Sequence, residues 1–248
     1  MIKELNLVGI LLMVFVKDSI KNNISNLTGI IVKTGFLGTL GNKGNVIVRF
    51  DINNVSIAVC CCHLTSDLPK NDARIKELND ILTKSVQINP NKEQKFRDHN
   101  IQFIFGDLNF RIELENSMCR QMIKSGNLEN LTVYDQFLKA RSMNPLFFEL
   151  EEGPLNFDPT YKYDFNSNDY DSSKKKRVPA WCDRILWKKN KSVNLLSYNI
   201  ANYTYSDHRP VFGLFNVSTQ GKSMEQSHKH DFHVDKSNIY LTFRISHK

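Results

Sequence analysis

Ile101–Phe105 (IQFIF) is an apolar run broken only by Gln102, and it leads directly into Gly106-Asp107-Leu108-Asn109. A run this short, closed by a turn residue, reads as a strand that delivers polar groups at its C-terminal end. The remaining pattern is of the same kind. Val46–Phe50 and Val55–Cys62 flank Asn53-Asn54 and predict a hairpin, and Ile185–Trp187, Val193–Ile200 and Val211–Val217 complete a strand set. Asp72–Ile88 places Ile75, Leu78, Ile81 and Leu82 at helical spacing, and Leu128–Leu138 predicts a second amphipathic helix. Leu7–Val16 (LVGILLMVFV) reads as a buried central strand, being too short to span a bilayer as a helix. Strands predominate, with helices between them.

The chain has 248 residues, enough for one sizeable α/β domain with a short tail. The expected domain covers residues 1–217. Residues 218–248 are expected to form a polar tail or the start of a following domain. Lys and Arg number 33 against 26 Asp and Glu, a net charge of +7. That balance favours an anionic partner without choosing among nucleic acid, acidic membrane and phosphorylated small molecules. Cys60, Cys61 and Cys62 are consecutive, and Cys119 and Cys182 stand alone, a poor disulfide framework and no zinc spacing. A cysteine-based phosphatase needs an Arg six positions after its nucleophile. Ser66, Asp67, Leu68, Ser125 and Lys188 occupy those positions, which excludes that mechanism.

Three blocks carry the chemistry: FIFGDLNFRI at 103–112, VPAWCDRILW at 178–187 and YSDHRP at 205–210. Each sets a carboxylate beside a group suited to phosphate: Asp107 with Asn109, Asp183 with Arg184, and Asp207 with His208. Hydrolysis of a phosphate monoester is very slow without a catalyst, and a metal route needs carboxylates for a hard cation, a base for water and donors for phosphoryl charge. The glycine-rich stretch Gly35–Gly44 (GFLGTLGNKG) suits close approach of backbone to an anion. Lys174–Arg177 is a basic run.

Together these blocks resemble the inositol polyphosphate 5-phosphatases, a branch of the metal-dependent endonuclease/exonuclease/phosphatase superfamily, from about residue 7 to about residue 217. The resemblance implies an α+β, four-layer α/β sandwich of two packed, mainly antiparallel sheets, deoxyribonuclease I-like. It implies Mg2+-dependent removal of the 5-phosphate from phosphatidylinositol 4,5-bisphosphate or related inositol polyphosphates. Asp107 is then the base, Asn109 and His208 stabilise the phosphoryl group, Asp183 orients His208, and His63 contacts phosphate. Asp207 serves the metal. Lys43 lies near the phosphate, Arg184 is counted among the substrate contacts, and Tyr161, Lys162, Lys175 and Arg177 grip the 4-phosphate. The resemblance also implies that strands before Leu7, with a metal-binding Glu, are missing.

Two rivals remain at this stage: a catalytically impaired phosphoinositide-binding remnant, and a metal-dependent nuclease on the same fold. The nuclease has no use for the basic set at 161–177, so no nucleic acid partner is expected. The expected location is cytoplasmic, peripheral at membranes.

Overall fold

The computed structural model describes residues 1–34 and 42–219, with the backbone of 238–245. The strands in chain order are β1 (Lys3–Leu7), β2 (Ile10–Val14), β3 (Ile24–Lys33), β4 (Gly44–Ile52), β5 (Val55–His63), β6 (Ser85–Asn89) and β7 (Lys92–Lys95). There follow β8 (Ile101–Asp107), β9 (Leu150–Glu152), β10 (Asp183–Lys188), β11 (Val193–Ile200), β12 (Val211–Ser218) and β13 (Asn238–Ile245). The helices are α1 (Asp18–Lys21), α2 (Asn71–Thr83), α3 (Asn116–Lys124), α4 (Leu128–Leu131) and α5 (Gln136–Met143).

A six-stranded sheet in the order β3-β4-β5-β8-β10-β9 forms the centre, with β5 and β8 parallel and the other pairs antiparallel. Asn53 and Asn54 both have positive φ, as the tight turn between β4 and β5 requires. Side chains alternate between the two faces, and both are covered. On one face Val46, Val48, Phe103 and Ile185 pack with Leu7, Leu12, Val211 and Phe215 from the β1–β2 and β11–β12–β13 layer. On the other, Ile47, Cys60 and Ile104 pack with Leu78 and Ile81 of α2 and Phe137 of α5. Two sheets packed face to face, with helices outside, is the architecture expected from the sequence.

Several details differ from the sequence reading. Leu7–Val16 is not one central strand: Gly9, at φ +80°, turns the chain, and β1 and β2 form a hairpin. Its burial alternates, so Leu7, Ile10 and Leu12 face the core while Leu11 and Met13 face out. The helix expected over Leu128–Leu138 is broken at Asp135, whose backbone is extended and whose carboxylate caps α5 by accepting from Leu138 N at 2.9 Å. The helix expected over Asp72–Ile88 ends at Thr83, and Ser85–Asn89 turns into a small hairpin with β7. The segment after 217 is not wholly apart from the domain, because β13 pairs along β12.

Candidate active site

The register of the central sheet assembles the site. His63 ends β5, Asp107 ends β8 and Asp183 begins β10; Asp107 pairs directly with His63 on one side and Asp183 on the other. Gly106 makes this closeness possible. Its φ is +130°, and a Cβ there would lie 2.1 Å from the Cys62 carbonyl oxygen, so no other residue fits beside Asp107.

Asp107 is 5 % exposed. His63 Nε2 lies 3.0 Å from its Oδ2, and Asn109 N donates to its Oδ1 at 3.0 Å. Burial works to raise the Asp107 pKa, but the His63 hydrogen bond and the nearby His208 charge outweigh it and hold the carboxyl below its ordinary range. Asp107 is therefore ionised at neutral pH. Lys43 Nζ contacts His63 Nε2 as well, and burial lowers the Lys43 pKa despite the opposing pull of Asp107. Residues 35–41 of the glycine-rich stretch lie outside the described residues.

Asn109 adopts positive φ, which turns the chain sharply after β8. Its amide nitrogen donates to Leu64 O at 3.0 Å, and its amide oxygen accepts from Arg111 Nη2 at 2.6 Å. Arg111 Nε also donates to Asn109 O at 3.1 Å, and the guanidinium stacks 4.6 Å from the Tyr161 ring centre. An amide held at its oxygen in this way can present only N–H to a ligand.

On the other side His208 Nδ1 is 2.8 Å from Asp183 Oδ2, and Thr160 Oγ1 donates to the same oxygen at 2.6 Å. The Asp183–His208 pair expected from the resemblance is therefore in place geometrically. Tyr161 is bridged on one side to Ala180 and on the other to His208, and its ring lies 4.7 Å from the His208 ring. Lys162 O accepts from Asp171 N at 2.9 Å, and Asp171 in turn accepts from Arg177 N at 2.8 Å. The Asp171 backbone N–H and carboxylate thus tie the Tyr161-Lys162 segment to the loop carrying Lys175 and Arg177. Asp207 is half-exposed, with Oδ2 3.7 Å from Lys162 Nζ.

Arg184 does not join them. It follows Asp183 on a strand, so it faces the opposite side, where Nη1 donates to Asp135 at 2.7 Å and Nε to Glu152 at 2.8 Å. Its side chain is fully buried and lies 4.8 Å from the Phe137 ring centre. The substrate contact expected of Arg184 is replaced by an ion-pair role. Sequence reasoning also passed over Arg111 and Thr160. Arg111 lay inside a string already singled out, where a charge within FIFGDLNFRI was the available signal, and Thr160 stands immediately before Tyr161.

Among the described residues no three His, Cys, Asp or Glu side chains gather to enclose a metal. The half-exposed Asp207 offers an oxygen donor of the kind that suits a hard cation keeping water and taking phosphate oxygens as ligands.

Residues 1–214 match the model of Endonuclease/Exonuclease/phosphatase family 2. The chain belongs to this family. It is 36% identical over 225 residues to the type II inositol 1,4,5-trisphosphate 5-phosphatase of Mus musculus, covering 88% of this chain and 22% of the mouse protein. It is 36% identical over 216 residues to synaptojanin of Caenorhabditis elegans, covering 86% of this chain and 19% of that protein. The chain thus spans about a fifth of the length of these relatives. Among solved structures, the inositol polyphosphate 5-phosphatase domain of a synaptojanin, in complex with inositol (1,4)-bisphosphate and calcium, superposes with a TM-score of 0.78 at 35% identity. That match covers 86% of this chain and 60% of the other. A Cimex nitrophorin in a ferrous NO complex shares the fold at a TM-score of 0.61 and 25% identity, covering 79% of this chain and 65% of the other. Fold alone therefore does not decide activity here.

Proposed function

We propose that this family member is a phosphoric monoester hydrolase that removes the 5-phosphate from phosphatidylinositol 4,5-bisphosphate or a related inositol polyphosphate, with Mg2+. The observation that carries this reading is the register of His63, Asp107 and Asp183 across adjacent strands, with His208 2.8 Å from Asp183. It brings His63, Asp107, Asp183 and His208 from separate parts of the chain to one sheet end, which supports reading them as phosphate contact, base and an oriented imidazole. The similarity to inositol polyphosphate 5-phosphatases supports the substrate class.

Asp107 takes the proton of the attacking water. Each of its oxygens has one hydrogen-bonded neighbour and retains a further lone pair for that proton. The Asn109 amide, fixed by Arg111, donates N–H to the phosphoryl oxygens. Asp183 binds Nδ1 of His208 and leaves Nε2 as the group facing the phosphate. Lys43 adds a cation beside His63. Tyr161, Lys162, Lys175 and Arg177 hold the 4-phosphate and so set the ring's orientation. Mg2+, held by Asp207 with water and phosphate oxygens, would supply charge neutralisation. The protein acts in the cytoplasm, at the membrane face where phosphoinositides lie.

The test compares release of phosphate from 4,5-bisphosphorylated substrate and from one lacking the 4-phosphate, with plasmid DNA offered in parallel. Lys175→Ala with Arg177→Ala should reduce turnover of the first about tenfold or more, and of the second little, since each charge-assisted contact contributes about 1.5–3 kcal/mol. Equal losses would refute the 4-phosphate assignment, and DNA cleavage without phosphate release would refute the activity.

A further inference from the structure

Three aromatic side chains stand in water beside the site. Phe165 is 70% exposed, Tyr203 54% and Tyr205 60%. They are not scattered: Phe165 and Tyr205 ring centres are 6.4 Å apart, and those of Tyr203 and Tyr205 5.3 Å apart. A contiguous exposed apolar patch needs an occupant in a way that single side chains do not.

The loops that carry the patch are built to hold it. Asn166 N donates to Thr204 O at 2.8 Å, and Thr204 Oγ1 donates to the Asn166 side-chain oxygen at 3.2 Å. Beneath them the buried Arg209 stacks 3.7 Å from the Tyr163 ring centre and donates to Ser167 O and, at 3.3 Å, to Asn168 Oδ1. The same two loops carry Lys162, Asp207 and His208, so the patch lies at the mouth of the site. Its neighbours are basic: Lys174, Lys175 and Lys176 are exposed on the loop that the Asp164 carboxylate pins by accepting from Ser172 N at 3.1 Å.

We propose that Phe165, Tyr203 and Tyr205 form a rim that settles into the headgroup region of an anionic bilayer and seats the site over it. Rings with an apolar body, two of them carrying a hydroxyl, partition to the membrane interface, and adjacent lysines attract anionic lipid. The site itself needs such a surface if its substrate is a lipid, so the inference rests on the phosphoinositide reading.

The experiment has two arms. Both native tryptophans, Trp181 and Trp187, are buried, so Phe165→Trp adds an exposed reporter. Its emission should shift to the blue on addition of phosphatidylcholine–phosphatidylserine vesicles. In the second arm, Phe165→Ser with Tyr203→Ser and Tyr205→Ser should lower partitioning onto those vesicles about tenfold or more. The same variant should lose a similar factor on lipid substrate in vesicles while keeping its rate on soluble inositol trisphosphate. No blue shift, unchanged partitioning, equal loss on both substrates, or a changed oligomeric state in place of changed partitioning overturns the rim. If the unaltered protein hydrolyses neither substrate while partitioning still falls in the variant, the proposed activity fails and the rim stands.

Discussion

Asp183 and Arg184 are consecutive on β10, both fully buried, and belong to polar networks of opposite character. The Asp183 network opens outward through His208 and Tyr161 to Lys162 and Asp207, which are partly exposed. The Arg184 network is closed, since Asp135 and Glu152 are as buried as the guanidinium. Burial opposes the Arg184 charge, but the two carboxylates overcome it and raise its pKa. A closed cluster can only hold β10, β9 and the start of α5 together, whereas the open one can meet a substrate.

The comparison breaks most visibly at Arg184. Arg184→Ala leaves two carboxylates buried without their cation and is expected to lower unfolding free energy by about 3–5 kcal/mol. Urea denaturation checks this, and a loss below about 1 kcal/mol would mean the closed network is not holding the fold.

A smaller effect is expected at Arg111, on the open side. Arg111→Met removes two hydrogen bonds to Asn109 and is expected to slow turnover about 10–100-fold. Combined with Asn109→Ala it should add almost nothing, because the two act as one unit. Independent losses would show that Arg111 meets the substrate itself.

Much of this was legible in the sequence because the three blocks are short strings, and the first two meet through simple strand register while His208 of the third reaches Asp183 from a loop. Asp107 follows an apolar strand, and pairing with its neighbours does the rest. The period of a strand also contained the answer for Arg184: a residue next to Asp183 must face the other side, and the block reading gave both to one site. The Leu7–Val16 hairpin was hidden because apolar residues fill both faces of β2, leaving Gly9 as the sole sign of a turn. The break at Asp135 had a local sign, the cap it makes with Leu138 N three residues on, but its ion pair with Arg184 spans 49 positions. No local pattern encodes that contact. Arg111 went unread because its bonds to Asn109 form only when Asn109 turns the chain at positive φ, and the ring it stacks on, Tyr161, lies about 50 positions away.

The most direct test of the account is Asp107→Asn, with turnover and substrate affinity measured on the same protein. The substitution keeps the shape of the side chain and removes the base. Turnover is expected to fall by about 10²–10⁴, with binding of the inositol phosphate nearly unchanged. Near-normal turnover in this variant would contradict the account by removing Asp107 from the reaction.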